Sequence, residues 1–349
     1  MLYKLLTMTR QVVLAACLLL LLGIAHGQTT LPYERDFPSI GYATVALEDA
    51  IARLQERLNS GDLALEFNQQ RGYLDAVLQA LQIDSATQLL VFSKTSLQRN
   101  LISPTTPRAI YFNDEVYIAW VQGSPVLEIA AMDPHVGPVF YTLNQQATGQ
   151  IAFDRQLQQC LRCHDSYTLT GGGTPRFMMS SDYTGRQGQL ISHEGNVLTT
   201  SRTPIRSRWG GWFVTGSHGE QIHLGNALVE SAADLQRENL QKTGNILNLT
   251  ELTNTEPYIT PYSDIVALLV IEHQIEVQNL MTRVHYHARA ALEDTTLSPG
   301  EIQSEIASLG EELLQALFMV GQPAFSSPVS GVSGFTEMFS ALGPEDAQG

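Results

Sequence analysis

Apolar residues recur every three to four positions in two regions of the chain, a spacing typical of helices that bury one face. The first region covers residues 44–82 and is interrupted near Gly61. The second covers residues 263–292 and 298–320, and its last part begins with Ser298-Pro299-Gly300-Glu301, which is close to a capping box. The spacing therefore predicts N-terminal helices and two long C-terminal helices.

Between these regions the chain changes to short β-prone runs separated by proline, glycine and Asn-Asp turns. The runs lie at residues 89–92, 109–112, 116–121, 126–130 and 139–143. Such runs predict a small antiparallel sheet. Residues 168–226 are rich in Gly, Ser and Thr, and we expect irregular loops there.

These elements together predict an α+β fold with a substantial core, since 44% of the residues are hydrophobic. We expect an N-terminal α/β region at residues 28–150. A helical domain with irregular Gly-rich loops and the two long helices is expected at 151–320, followed by an irregular tail at 321–349.

The first 27 residues have the composition of a secretory signal peptide. Lys4 and Arg10 form a basic start, residues 12–25 are apolar, and residues 25–27 form a small-x-small cleavage site. The apolar stretch is shorter than a membrane span, and no later segment is long and apolar enough to cross a bilayer. We therefore expect a periplasmic or extracellular protein with no transmembrane span in its mature chain.

A lipoprotein signal is the competing interpretation, because residues 14–17 match its pattern and end at Cys17. Such a signal should end at its cysteine, whereas here residues 18–22 continue the apolar stretch. We therefore favour cleavage after Gly27 over a lipid anchor at Cys17.

The formal net charge is -15, and removal of the signal peptide with Lys4 and Arg10 makes it -17. An acidic chain argues against nucleic acid as a partner, because phosphate binding requires a basic face. It suits a protein partner with a basic docking surface, where opposite charge speeds the encounter.

Residues 160–164, Cys-Leu-Arg-Cys-His, match the attachment pattern of c-type haem. Two thiols at this spacing can add across the two vinyl groups of one porphyrin edge, and the next histidine can bind the iron. Bacteria attach haem in this way after export, so the signal peptide and the motif support each other. We predict one covalent haem c held by Cys160, Cys163 and His164, on a short helix at residues 153–164.

Three other interpretations of the cysteine pair explain less. A thioredoxin-like dithiol needs a strand-turn-helix setting, whereas a β-rich region and a short helix precede this pair. A zinc ion needs four ligands, so His135 or His193 would have to complete the set. A structural disulfide leaves the histidine that follows the second cysteine unexplained.

The motif and several longer segments resemble a family of large exported bacterial cytochrome c-domain proteins with a single attachment motif. The segments are VFSKTSLQ (91–98), ISPTTPRAIYFND (102–114), DPHVGPVFYTL (133–143), CLRCH (160–164), RWGGWFVTGSHG (208–219) and SDIVALLVIEHQ (263–274). The resemblance spans most of the mature chain and implies a c-type haem domain at residues 151–320. Relatives usually continue past Gly349, so this chain is expected to be truncated or to lack a C-terminal helical segment. They also tend to carry Met in place of Leu224.

A second axial ligand is expected from the long stretch after the motif. No methionine lies between Met179 and Met281, whereas His218 and His223 stand 54 and 59 residues after His164. His218 lies in a Thr-Gly-Ser-His-Gly loop that can bend over a flat ring, and we predict it as the second iron ligand. The alternatives are His223, His273, Met178 and Met179.

His273 is a rival because it shares a helical stripe with apolar residues, which is expected to face the core. The stripe comprises Val266, Leu269, Val270, Val277, Leu280 and Val284. Arg208 precedes a Trp-Gly-Gly-Trp sequence, and we predict that it binds a haem propionate while the tryptophans line the haem. Arg162, inside the motif, is a second candidate for this role. The alternative is ordinary packing of the two tryptophans at a tight turn.

One-electron transfer is the expected function, because iron with two axial ligands has no site for a substrate. The alternative is a haem enzyme or a sensor of peroxide or gas, with an open sixth position and His193-Glu194 or Arg208 as distal groups. A binding module, whose sheet region recruits a partner, is a third possibility.

Overall fold

The computed structural model describes residues 31–147, 149–170, 173–191, 196–229 and 244–342. The predicted signal peptide with Cys17 and the pair His193-Glu194 lie outside these described residues.

In the described part of the chain, three α-helices precede the first strand of the sheet. They are α1 (Pro32–Asp36), α2 (Ala50–Ser60) and α3 (Leu74–Ala80). The carboxylate of Asp49 caps α2 by accepting hydrogen bonds from the backbone N–H groups of Ile51 and Ala52. Gly61 ends α2 with φ +80, a conformation that favours glycine. The interruption predicted near Gly61 is thus confirmed.

A six-stranded antiparallel sheet follows within the described residues, with its strands in chain order. The strands are β1 (Leu89–Val91), β2 (Arg108–Phe112), β3 (Val116–Trp120), β4 (Val126–Asp133), β5 (Gly137–Asn144) and β6 (Phe153–Arg155). The first five confirm the five predicted runs. The prediction of helix from residue 153 was wrong, because residues 153–155 pair with β5 as the edge strand.

The haem motif lies on a helix of one turn, α4 (Leu161–His164), and α5 (Tyr167–Thr170) follows it. The loops predicted for residues 168–226 contain one small two-stranded sheet among the described residues, formed by β7 (Ser180–Asp182) and β8 (Asn196–Leu198).

The first long C-terminal helix is α6 (Ile265–Glu293), capped by the carboxylate of Asp264. Its most buried residues include Leu268, Ile271 and Tyr286. The stripe with His273 that was expected to face the core is half-buried, and only its first part, Val266, Leu269 and Val270, packs against the core. The reason is that α6 packs on the sheet at one side and on the second long helix at the other. Both sides of α6 therefore carry apolar residues, and their spacing does not distinguish them.

The second long helix is α7 (Pro299–Leu317), and it begins with the predicted capping box between Ser298 and Glu301. The tail was expected to be irregular, but it contains a short helix, α8 (Phe335–Ala341). Phe335 on this helix is buried against Phe112 of the sheet, and this apolar contact explains the helix. Within the described residues, no helix is both long and apolar enough to span a membrane.

The architecture is therefore α+β, with an antiparallel sheet and α6 lying across one of its faces. Tyr117 on β3 donates a hydrogen bond of 2.6 Å to the side chain of Gln278 on α6. On β5, the backbone of Gly137 lies against Thr282 of α6. A Cβ at position 137 would come within 2.5 Å of Thr282 Cγ2. These contacts hold α6 close to the sheet face that carries the motif.

Candidate functional site

The two cysteines of the motif are one helical turn apart. The backbone N–H groups of Cys163 and His164 donate to the carbonyl of Cys160, at 3.1 and 3.0 Å. Both thiols are free, Cys160 half-buried and Cys163 exposed. Burial, together with the nearby Glu128, raises the pKa of the Cys160 thiol to about 12. The site thus presents two free thiols on one turn, which is the spacing that c-type attachment requires.

The ring of His164 is held in one tautomer. Its Nδ1 atom lies 2.8 Å from the carbonyl oxygen of Arg176, and because a carbonyl only accepts, Nδ1 must carry the proton. Burial lowers the pKa of His164 to about 4, so the ring is neutral at pH 7. Its Nε2 atom therefore carries a lone pair, as an axial iron ligand must.

The carbonyl of Arg176 is itself fixed by α6. The next residue, Phe177, donates its N–H to Asn279 Oδ1 and accepts from Asn279 Nδ2, at 2.8 and 2.9 Å. The backbone N–H of Arg176 also donates to the carbonyl of His164 at 2.9 Å. A side chain in the middle of α6 therefore sets the orientation of the His164 ring through one short segment.

An aromatic layer supports His164 on the sheet. Its ring lies 4.3 Å from that of Phe140 on β5, between ring centroids. Phe177 contacts both Phe140 and Tyr117, at 6.2 and 4.8 Å. Ala130 stands between Phe140 and Tyr117 in the sheet register, and its small side chain leaves the space that Phe177 fills. His164 therefore packs on the sheet through the ring of Phe140, which Phe177 contacts in turn.

These observations fit the predicted cofactor. Cys160 and Cys163 have the spacing and the free thiols for two thioether bonds, and His164 presents Nε2. Among the described residues, no group of three or more His, Cys, Asp and Glu side chains could hold a bare metal ion.

His218, the predicted second ligand, contacts His223 instead. The two Nε2 atoms are 3.2 Å apart, and both rings are buried, with 3% and 1% exposure. His223 also packs edge-on against Trp209, at 5.3 Å between ring centroids. Neither Nδ1 atom has a hydrogen-bond partner. The two histidines therefore form a buried pair, in which one Nε2–H donates to the other ring.

This pair and His164 lie along different parts of α6. Thr215, three residues before His218, accepts a hydrogen bond from the N–H of Ile265 at the start of α6, whereas His164 is linked to Asn279. These two helix positions are fourteen residues apart, about 21 Å at 1.5 Å per residue. The axial nitrogens of one iron lie only about 4 Å apart, since a metal–imidazole bond is about 2 Å long. The structure does not bring His218 together with His164.

We expect the buried pair to make the protein sensitive to acid. Burial, and secondly His218, lower the pKa of His223 to about 3, against 6.5 when unfolded. The unfolded chain therefore takes up a proton below pH 6.5 that the folded chain refuses, so stability is lost as pH falls from 6.5 towards 3. The loss is about 1.4 kcal/mol per pH unit. Urea unfolding at pH 7, 6 and 5 measures it, and the variant His223→Gln should show a smaller slope. The exposed His135→Gln is the control, and equal slopes in all three proteins would contradict the prediction.

Arg208 is occupied by other contacts. Its Nη1 atom donates to Glu272 of α6 at 2.9 Å, and both side chains are buried, at 2% and 0% exposure. Its Nε and Nη2 atoms donate to the carbonyl oxygens of Thr203 and Ser201. These contacts give no support to the propionate role predicted for Arg208, because all three nitrogens are engaged within the protein.

The Trp-Gly-Gly-Trp sequence forms a tight connection between β1 and β7. A Cβ on Gly210 would lie 2.5 Å from the carbonyl oxygen of Asp182, and one on Gly211 would lie 2.5 Å from Ser93 Cβ. Trp212 donates its indole N–H to the carbonyl of Ser180 at 2.8 Å. The glycines therefore permit close backbone packing, and both tryptophans are buried in it.

The remaining candidates for the propionate contact and for the second iron ligand differ in their burial. Arg162 is exposed beside the cysteines, Met178 and His273 are half-buried, and Met179 is buried. The Nδ1 atom of His273 has no hydrogen-bond partner. Met178 and Met179 follow Phe177 on the segment that carries Arg176.

Sequence reasoning missed three residues beside the motif, namely Arg176, Arg108 and Glu128. Arg176 contributes only its backbone carbonyl, which leaves no signal in a sequence. Arg108 on β2 and Glu128 on β4 form an ion pair of 3.2 Å on the sheet face that carries Phe140. Arg108 and Glu128 each alternate with buried neighbours, a pattern that marks one face of the sheet. Their pairing across β3 depends on the strand register, which the pattern does not give.

Comparison of the chain with protein-family models, with curated proteins and with solved structures found no match.

Proposed function

We propose that this chain is an exported cytochrome that carries one covalent haem c in a domain at residues 151–320 and transfers single electrons. The observation that carries the proposal is the motif geometry: two free thiols one turn apart, followed by a neutral histidine whose Nδ1 is bonded to a carbonyl. Haem bound there would supply a one-electron iron couple. Cys160 and Cys163 would hold it, and His164 would supply one axial nitrogen.

The remaining groups control orientation and access. Asn279 holds the segment that binds Nδ1 of His164, and Phe140 supports the ring from the sheet. A ligand held at both its ring nitrogen and its face loses little freedom when it binds iron, which favours a single geometry. Export through the predicted signal peptide and a partner with a basic docking surface belong to the same proposal.

The full chain, produced in a host that attaches haem in its periplasm, tests the proposal. We expect one haem per chain in a pyridine assay, and acidified acetone should fail to extract it. Deletion of residues 2–25 should give apo-protein in the cytoplasm, because attachment follows translocation. The mature N-terminus should be Gln28 by mass spectrometry. Holo-protein without the leader would contradict export, and a lipid on Cys17 would establish the lipoprotein alternative.

A haem enzyme or gas sensor is the second candidate, and the His218–His223 contact favours it. His218 is hydrogen-bonded to His223, so haem held at Cys160 and Cys163 would lack this histidine as a second ligand. A high-spin oxidised spectrum and immediate binding of carbon monoxide would support this candidate. A low-spin spectrum and no carbon monoxide binding would support the electron carrier.

The same spectra test His218 and His273 as ligands. Because His218 lies away from His164, we expect His218→Ala to leave the spin state of the oxidised iron unchanged. His273→Ala is the comparison, since His273 has an unpartnered Nδ1 atom on α6. A change to high spin in His218→Ala alone would show that the loop moves to the iron and that our placement is wrong.

A further inference from the structure

We propose that the ion pair of Arg108 and Glu128 is the charge pair that sets the reduction potential of the haem site. The inference rests on the proposed haem function and adds two residues to it. Neither residue belongs to the motif, and the two are twenty positions apart in the sequence.

The sheet register puts the pair beside the motif. Ile110, Ala119 and Glu128 are consecutive partners across β2, β3 and β4, and Arg108 lies two positions before Ile110 on the same face. Ala119 has a small side chain, so Arg108 can reach across β3 to Glu128. Phe140, which supports the His164 ring, is the diagonal neighbour of Glu128 on β5. Diagonal neighbours in a sheet lie about 7–8 Å apart.

Both charges lie on the sheet face against which the histidine of the motif packs. Phe140, the diagonal neighbour of Glu128, has its ring 4.3 Å from that of His164. Arg108 lies on the same face, and its Nη1 atom is 3.2 Å from Glu128. The pair is therefore close enough to the proposed iron ligand for its charges to act there.

Burial gives these charges weight. Their side chains are 17% and 18% exposed, so water and salt screen them less than surface charges. Arg108 Nε is buried and has no hydrogen-bond partner, and one hydrogen bond of 3.2 Å joins the pair.

Opposite effects on the potential follow from the signs of the charges. Oxidised haem carries one more positive charge than reduced haem, so a nearby cation favours the reduced form and a nearby anion the oxidised form. Removal of Arg108 should lower the reduction potential, and removal of Glu128 should raise it. With both residues present, the reduction potential should lie between those of the two single variants.

The test is an equilibrium redox titration of the holo-protein with dye mediators. Arg108→Gln should shift the midpoint down and Glu128→Gln should shift it up, while Arg108→Lys should stay near the wild type because it keeps the charge. The double variant should fall between the two single variants. Arg53→Gln is the matched control, since it removes one exposed cation paired with Glu115 and should leave the midpoint unchanged.

Shifts of the same sign, or midpoints equal to the wild type, would overturn the assignment. If Arg108→Gln fails to fold, Glu128→Gln still decides: an upward shift at an unchanged melting temperature supports the pair, and no shift rejects it. Wild-type protein without covalent haem would instead overturn the proposed function itself, a result that the pyridine assay reports separately.

Discussion

Replacement of both Cys160 and Cys163 by alanine is expected to reduce covalent haem from one per chain to none. The two thiols are the proposed attachment points, and the remaining cysteine, Cys17, lies in the predicted leader. A pyridine assay and haem staining after denaturing electrophoresis measure the loss. The exposed Thr168→Ala is the control next to the motif, and it should keep one haem per chain.

Covalent haem that persists in the double variant would show that the attachment site is elsewhere. Unfolding of the double variant is the other explanation for a loss of haem, and Thr168→Ala in the same periplasmic extracts controls only for expression and export. Circular dichroism of the purified double variant separates these outcomes. Cys160 is only partly buried against the core, so we expect the strands and the long helices to remain.

The variant Arg208→Met is expected to lower the free energy of unfolding by about 3–5 kcal/mol, because it leaves Glu272 buried and unpaired. Burial raises the pKa of Glu272 to about 7, and Arg208 acts against this rise. Without Arg208, the pKa of Glu272 rises further. A carboxyl whose folded pKa exceeds its unfolded value favours folding in acid. The destabilisation should therefore grow as pH rises through 7.

Urea unfolding at pH 5, 7 and 8 measures the effect of Arg208→Met. Arg53→Met, which breaks an exposed ion pair, is the control and should lose little stability. A loss below 1 kcal/mol at pH 8 would contradict the structural role of the buried pair. Folded Arg208→Met should keep its haem content and reduction potential. A lower potential would restore the propionate role that the sequence suggests.

Much of the fold was predictable because it depends on local patterns. Five of the six strands of the large sheet follow from β-prone runs between turn residues. The capping box at Ser298 marks the start of α7. The predictions failed where tertiary contacts override local pattern. Residues 153–155 join the sheet as an edge strand, and α6 is apolar on two sides because it packs on both the sheet and α7.

The candidate site also has a part that the sequence predicts and a part that depends on tertiary contacts. Cys160, Cys163 and His164 are identifiable by their spacing, since the chemistry of attachment needs neighbours along the chain. His218 was predicted from its distance to the motif and its glycine-containing loop, and Arg208 from the Trp-Gly-Gly-Trp sequence that follows it. Their actual partners, Glu272 and His223, depend on how distant loops fold onto α6.

The sequence by itself determined most of the elements and the spacing of the motif residues, because helical spacing, strand alternation and thiol separation all operate within a few residues. Only the tertiary structure decided which neighbours surround that motif. The carbonyl of Arg176, the ring of Phe140 and the charges of Arg108 and Glu128 reach it through sheet register and helix packing. These contacts join residues far apart in the chain, and their energies depend on burial that no local pattern specifies.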